Sequence, residues 1–197
     1  GILGPKTILG HCIHVNTAEM EIIRETDTMV VNNPESNMGN AVGISPVLQL
    51  YRHGILLGMG TDAYTNDMLE SLKVALCSQR HNACLPNVGW CEVTDMLFKN
   101  NAKIGARYFE TPLGVLKPGA AADIIVMDYK PFTPFSNENI DGHMIFGMTG
   151  RQCQTTIANG RVLMLDRELV GVDEEVENAH ILEAAKKLWG ELNHRTY

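Results

Sequence analysis

Two side chains that could do catalytic chemistry each follow a short apolar run. His11 follows residues 7–10, and Asp62 comes soon after residues 55–60. Both runs are typical of buried strands, and the carboxyl edge of a parallel sheet is where catalytic residues collect. The two therefore form a candidate catalytic pair. The alternatives are that an isolated aspartate caps a turn and that a strand-end histidine is structural.

A third apolar run, residues 28–31, ends in Asn32 and Asn33 ahead of Pro34. These asparagines are candidate substrate-binding residues. The alternative is that they only shape a loop, because Asn-Pro pairs favour turns. Residues 32–40 are rich in polar and turn-forming types, and they predict a loop.

The elements that would position these residues alternate between strand and helix. Residues 6–10, 28–31 and 55–60 predict strands, and residues 17–24, 67–82 and 93–109 predict helices. A further helix is predicted after Ser45 as its cap, with Pro46 at its first position and Gly54 closing it. This alternation predicts an α/β fold with parallel strands and right-handed crossovers. Three strands do not close a barrel, which takes about eight.

The pattern changes after Pro112. Residues 122–128 predict a strand, and Asn159-Gly160 between two β-prone runs predicts a hairpin with a type I′ turn. Residues 174–193 predict a helix with an apolar side. That side consists of Val176, Ile181, Leu182, Ala185, Leu188, Trp189 and Leu192.

The composition excludes several classes of protein. The formal net charge of −7 over 197 residues argues against binding to nucleic acid or to an anionic membrane surface. No apolar run approaches the roughly 20 residues that span a bilayer. Five cysteines without a CxxC pair predict reduced thiols and a cytoplasmic location. Because the chain starts without Met and almost directly in a strand, a fragment is an open alternative.

Four motifs in order carry a resemblance to a known family. They are residues 10–14 (GHCIH), 32–37 (NNPESN), 58–62 (GMGTD) and 114–128 (GVLKPGAAADIIVMD). Together they resemble the C-terminal half of an amidohydrolase-superfamily enzyme of the aminohydrolase/chlorohydrolase (ATZ/TRZ) branch, and most of all the SsnA-type aminohydrolases.

The resemblance implies a fold and a domain organisation. Residues 1–112 would form strands six to eight of a (β/α)8 TIM barrel with their helices. Residues 113–170 would form part of a small β-sandwich, and residues 171–197 a C-terminal helix. The remaining strands would lie upstream of this chain.

The resemblance also implies roles for the strand-end residues. Asp62 would be a ligand of one divalent metal, zinc or iron, and would take and pass on the proton of the attacking water. His11 would hydrogen-bond that water or the developing oxyanion. The remaining metal histidines and an acid-base glutamate would lie upstream, so the metal should be absent from this chain alone.

The implied activity is hydrolytic deamination of a cyclic amidine or heterocycle, a small-molecule substrate. Hydrolytic dechlorination by the same site is an alternative. A non-catalytic subunit or a degenerate interaction module is another. The chain by itself is expected to be inactive, and it is expected to pair with a missing N-terminal half or with a second copy of itself as a homo-oligomer.

Overall fold

The computed structural model describes residues 1–195, which divide into two compact units. The first unit contains Gly1–Ala121 and Asp128–Gln152, and the second contains Ala122–Met127 and the residues from Cys153 onward. Each unit has its own sheet. No helix in the described part of the chain is both long and apolar enough to cross a membrane.

The first unit is built on a three-stranded parallel sheet in the order β1-β2-β3. Its strands are β1 (Ile8–Gly10), β2 (Met29–Asn32) and β3 (Leu57–Met59). Leu9 pairs with Val30, and Val31 pairs with Gly58. The predicted parallel arrangement is therefore confirmed. β1 lies at one edge of the sheet, where Ile8 is 44% exposed.

Helices pack around this sheet. They are α1 (Thr17–Glu25), α2 (Pro34–Gly39), α3 (Val47–Arg52), α4 (Met68–Ala83), α5 (Trp90–Asp95), α6 (Asn101–Gly105) and α7 (Ile140–Gly142), with π-helical turns at Met96–Asn100 and His143–Gly147 and a 3-10 turn at Gly150–Gln152. The core is formed by fully buried apolar side chains from both helices and strands. Its largest members include Met20, Val30, Leu50, Leu57, Leu72, Leu76 and Met96.

The predicted loop over residues 32–40 is wrong in part, because α2 lies within it. Pro34 stands in the first turn of α2, where its fixed φ suits a helix and its missing N–H needs no partner. Ser36 and Asn37 are almost fully buried. The polar composition that indicated a loop belongs instead to a short helix with a buried polar face.

The predicted cap of α3 is also wrong. Pro46 occupies the N-cap position, and no side chain caps the helix. Ser45 is buried, and its carbonyl accepts a hydrogen bond from Gln79 Nε2 at 3.0 Å. The Ser45 hydroxyl, which a cap would use, donates instead to the Cys12 carbonyl at 3.5 Å.

The predicted helix over residues 93–109 is a series of three shorter segments ending at Gly105. α5 continues into the π-helical turn at Met96–Asn100 and then into α6. The two asparagines at this junction bind the backbone of β3. Asn100 Nδ2 donates to the Leu57 carbonyl at 3.0 Å, and Asn101 both accepts from Met59 N at 3.0 Å and donates to Met59 O at 2.9 Å.

These asparagine contacts protect an edge of the sheet. Val30 N donates to Leu56 O, and Gly60 N donates to Asn32 O. Peptide groups alternate in direction along a strand, so those of Leu57 and Met59 point away from β2. Asn100 and Asn101 therefore satisfy backbone groups that an edge strand would otherwise leave exposed.

The second unit contains an antiparallel sheet in the order β4-β5-β6-β7. Its strands are β4 (Ile124–Met127), β5 (Cys153–Ala158), β6 (Arg161–Leu165) and β7 (Glu168–Leu169). The predicted hairpin is confirmed: β5 and β6 pair across Asn159 and Gly160, which have φ of 47° and 76°. Two consecutive positive φ angles are the requirement of a type I′ turn.

The last helix, α8 (Glu174–Asn193), has the predicted bounds and begins at the N-cap Asp173. None of its residues is buried in the structure as described. Ile181, Leu182 and Trp189, which belong to its predicted apolar side, are each 61% exposed. The amphipathic pattern therefore predicted the helix correctly, but the apolar side of that helix is exposed in the described structure.

We predict that Asn101→Ala lowers the free energy of unfolding of the chain by about 1–3 kcal/mol, because two backbone groups of Met59 lose their partner. Urea unfolding of both proteins measures the difference. Asn82→Ala is the matched control, since Asn82 is an exposed asparagine of α4; it should report only the small gain in helix propensity. Equal stability of Asn101→Ala and the unmodified chain would contradict the edge-protecting role.

Candidate active site

The carboxyl ends of the three parallel strands bring the candidate residues together. His11 follows β1, Asn32 ends β2, and Asp62 follows β3. His11 Nε2 lies 3.5 Å from Asp62 Oδ2, although 51 positions separate the two in the chain (62 − 11). Their side chains are 39% and 40% exposed. The structure therefore places an imidazole and a carboxylate side by side at an accessible edge.

Both residues have an unusual backbone conformation. His11 has a φ of 66° and Asp62 a φ of 54°, which lie in the left-handed region. This region is disfavoured for residues with a Cβ, though Asp, Asn and His enter it more often than most. β1 ends directly before His11, whereas β3 ends at Met59, three positions before Asp62. Non-glycine residues held in this way cluster at functional sites. The candidate pair is among several such residues in this chain, which include Asp27 and Asp166.

Hydrogen bonds keep the Asp62 carboxylate charged. Ser36 Oγ donates to Oδ2 at 2.7 Å, and the backbone N–H of Ala63 donates to Oδ1 at 2.8 Å. The Ser36 hydrogen bond, followed by that of Ala63, lowers the pKa of Asp62 below its ordinary value. A carboxylate that stays ionised and partly exposed is suited to bind a cation or to accept a proton.

The other side of His11 contacts a buried amide. His11 Nδ1 lies 2.7 Å from Asn37 Oδ1, and Asn37 Nδ2 donates to Asn32 Oδ1 at 3.2 Å. Asn32 and Asn37 are each 2% exposed. The ring of His11 is therefore fixed between Asn37 on one side and Asp62 on the other.

α2 carries both of the residues that hold the candidate pair, Ser36 and Asn37. This helix is attached to α4 through Ser71 Oγ, which donates to Glu35 Oε2 at 2.6 Å. Burial raises the pKa of Glu35, while the Ser71 hydrogen bond opposes that shift. At the other end of α2, the ring of Tyr64 lies directly against Gly39, which leaves no space for a Cβ there.

Sequence reasoning identified His11, Asn32 and Asp62 but not Ser36 and Asn37. The loop assigned to residues 32–40 concealed them, because their burial depends on α2. Pro34 indicates the helix in the sequence, because proline is typical of a first helical turn. The side chain of Asn33 lies against Gly60, two positions before Asp62, since a Cβ added at Gly60 would lie 2.5 Å from Asn33 Oδ1. Substrate contact by Asn32 or Asn33 stays a prediction.

The donor set suits a metal ion only in part. Asp62 is an exposed carboxylate whose two hydrogen bonds leave lone pairs free for a cation. Among residues 1–195, however, no group of three or more His, Cys, Asp or Glu side chains could hold a metal ion. A catalytic zinc site takes about three protein ligands. Asp62 therefore fits as one ligand, and the described residues do not complete the set.

We predict that Ser36→Ala raises the pKa of the Asp62 carboxyl toward its ordinary value, because the largest cause of its depression is lost. A ¹³C NMR titration of the side-chain carboxyl measures the change. Thr61→Val is the control, since the Thr61 hydroxyl contacts only the main-chain oxygen of Asp62. That variant should leave the carboxyl pKa unchanged.

The sign of the accompanying stability change follows from the direction of the shift. A carboxyl whose pKa is lower in the folded state stabilises the fold above its unfolded-state pKa, and this contribution is lost as the pH falls through the folded-state value. Because the unfolded-state pKa is the same in both proteins, the loss should begin at the same pH in each, but in Ser36→Ala it should be smaller and should be complete at a higher pH. Coincident acid-unfolding curves would contradict the assignment.

Comparison with known proteins gives a consistent set of relatives. The chain is 32% identical over 202 residues to 5′-deoxyadenosine deaminase of Methanothermobacter thermautotrophicus, covering 98% of this chain and 44% of that protein. It is 34% identical over 174 residues to 5-methylthioadenosine/S-adenosylhomocysteine deaminase of Thermococcus onnurineus, covering 86% of this chain and 40% of that protein. The chain thus spans less than half the length of these curated relatives.

The fold is also similar to that of a solved structure. A zinc-bound adenosine deaminase from Xanthomonas campestris superposes with a TM-score of 0.82 at 21% identity, covering 95% of this chain and 44% of that structure. Residues 1–163 match the amidohydrolase family, and that segment includes His11, α2 and Asp62. The chain therefore belongs to the amidohydrolase family.

Proposed function

We propose that this chain forms part of a metal-dependent hydrolase that deaminates an aminated heterocycle. The observation that carries the proposal is the pairing of His11 Nε2 and Asp62 Oδ2 at 3.5 Å, at the ends of parallel strands in an amidohydrolase-family chain. The relatives reported above are named as deaminases. The position of the pair at the strand ends and the names of the relatives both support this chemistry.

The fold assignment that accompanies this proposal is a partial barrel. Residues 1–112 correspond to strands six to eight of a (β/α)8 barrel, residues 113–170 to part of a β-sandwich, and residues 171–197 to a C-terminal helix. The parallel order β1-β2-β3 supports the first part, and the antiparallel sheet β4-β5-β6-β7 supports the second. The remaining strands would come from a further segment or from another chain.

Within the site, Asp62 would hold the metal ion and accept a proton from the attacking water. Such an ion supplies, when bound, a water molecule acidic enough to attack near neutral pH. Ser36 and Ala63 keep the Asp62 carboxylate ionised for this role. His11 would donate a hydrogen bond to the oxygen that develops negative charge during attack on the carbon that bears the amino group.

The relatives also suggest a class of substrate. Their names refer to 5′-deoxyadenosine, 5-methylthioadenosine and S-adenosylhomocysteine. All three carry an adenine ring with an exocyclic amino group, and none carries a 5′-phosphate. We propose adenine nucleosides of this kind as substrates. The net charge of −7 is consistent with a preference for ligands that are not polyanions.

We predict that the protein expressed from its own gene, with any segment that precedes residue 1, releases ammonia from such nucleosides. Asp62→Asn should lower kcat by about 100-fold or more, since a positioned proton-transfer group contributes about that much. Asp166→Asn is the matched control, because Asp166 is an exposed aspartate whose φ of 50° is also left-handed. Full activity in Asp62→Asn, or no ammonia from any adenine nucleoside, would contradict the proposal.

We predict that the 197-residue chain alone does not retain zinc against an equimolar chromophoric chelator, because, among the described residues, no third His, Cys, Asp or Glu side chain joins His11 and Asp62 to complete a metal site. Metal-binding titration of the purified chain makes the measurement, with Asp62→Asn as the comparison. One tightly held zinc per chain that Asp62→Asn abolishes would show that the described residues complete a metal site after all.

A further inference from the structure

Tyr64 is an aromatic side chain in the loop that follows the candidate pair. It lies two positions after Asp62, before α4 begins, and it is 53% exposed. The candidate pair and the α2 residues that bind it are polar, whereas sites for small ligands are lined mainly by apolar and aromatic side chains. Tyr64 therefore supplies a kind of surface that these polar residues do not.

α2 places the Tyr64 ring on the same side of the helix as the Asp62 carboxylate. Ser36 and Gly39 are three positions apart, so both face the same side of the helix. The Ser36 side chain donates to Asp62 Oδ2, and a Cβ added at Gly39 would run into the Tyr64 ring. The two points of α2 that face the carboxylate and the ring are about 4.5 Å apart along the helix axis, which is the rise of three residues.

Hydrogen bonds hold the loop that carries Tyr64. At its start, Tyr64 N donates to Thr61 O at 3.4 Å. At its end, Asp67 Oδ1 accepts from Leu69 N at 3.0 Å, and Asp67 Oδ2 accepts from Gly150 N at 2.7 Å. A loop that is already ordered loses less conformational freedom when a ligand binds to it. The loop is therefore suited to present the Tyr64 ring to a ligand.

We propose that Tyr64 is a specificity-determining residue whose ring stacks on the heterocycle that undergoes deamination. This inference rests on the proposed function, in which Asp62 acts at the carbon that bears the amino group. A purine is long enough for that carbon to lie at Asp62 while the face of the purine covers the Tyr64 ring. Aromatic stacking accepts any planar base. Tyr64 would therefore select for a flat heterocycle, and Asp62 for the position of its amino group.

The first experiment measures KM and kcat of the protein expressed from its own gene, with an adenine nucleoside as substrate. Stacking is made in the bound substrate and in the transition state alike, so its loss should appear in KM. Tyr64→Ala should raise KM about 10-fold or more, the loss that follows truncation of a base-stacking aromatic, with kcat changed by less than about threefold. Tyr64→Phe should keep KM, because the aromatic face remains. Tyr64→Leu keeps apolar bulk without that face and should raise KM as Tyr64→Ala does.

Phe109→Ala is the matched control, because Phe109 is another exposed aromatic residue, 63% exposed. Its neighbour Tyr108 donates to the Lys6 carbonyl, which precedes β1. This part of the chain therefore lies near the amino end of β1, whereas the candidate site lies at the carboxyl ends of the strands. Phe109→Ala should leave both KM and kcat unchanged.

A variant of Gly39 tests where the ring lies. The methyl group of Gly39→Ala would take the place of the Tyr64 ring and displace it, so this variant should also raise KM. In a protein that already carries Tyr64→Ala, Gly39→Ala should add little, because no ring remains to be displaced. Fully additive effects of the two changes would overturn the inference, since the ring would then not lie against α2.

A binding measurement separates this inference from the proposed function. The 6-oxo nucleoside that deamination would yield has no amino group to lose, and calorimetric titration measures its affinity for the same proteins without turnover. We expect Tyr64→Ala to weaken this binding about 10-fold or more and Tyr64→Phe to retain it.

Each outcome decides between the two claims. Binding that depends on the aromatic face, in a protein that releases no ammonia, would overturn the proposed reaction and support the role of Tyr64. Ammonia release with the same KM in Tyr64→Ala and in the unmodified protein would overturn the role of Tyr64 and leave the proposed function intact. If the unmodified protein binds no purine nucleoside, both claims fail.

Discussion

The hydrogen bonds from α2 to the two strand-end residues are the constraint on which the candidate site depends. Ser36 binds the Asp62 carboxylate, and Asn37 binds the His11 ring, each at 2.7 Å. His11 and Asp62 leave their strands in left-handed conformations, which cost of order 1–3 kcal/mol each and persist only where the surroundings over-determine them. Ser36 and Asn37, two neighbouring residues of α2, supply the hydrogen bonds that hold these conformations.

The position of α2 depends in turn on the sheet and on α4. Asn33 and Pro34 start the helix directly after β2, so its first turn is fixed to the strand. The hydrogen bond between Ser71 and Glu35 attaches the helix to α4. Asn101 binds the edge of β3 that faces away from β2, through the backbone N–H and C=O of Met59. The accessible polar site is therefore supported by contacts that are partly buried.

Much of the fold was predictable because its signals are local. Strand–helix alternation predicted the parallel sheet, and Asn159-Gly160 predicted the hairpin between β5 and β6. The bounds of α8 followed from its apolar periodicity. The predictions failed where a distant contact competes with a local preference. Ser45 does not cap α3, and its hydroxyl donates instead to the distant Cys12 carbonyl at 3.5 Å.

The sequence by itself determined the parallel strands, the hairpin and the helices α1, α4 and α8, together with the two reactive residue types that follow apolar runs, His11 and Asp62. Only the tertiary structure decided that these side chains meet and that Ser36 and Asn37 hold them. The physical reason is the distance along the chain: Ser36 and Asp62 are 26 positions apart, as are His11 and Asn37. Local propensity specifies strands and turns, but a hydrogen bond between remote residues exists only after the strands have paired and the helix has packed.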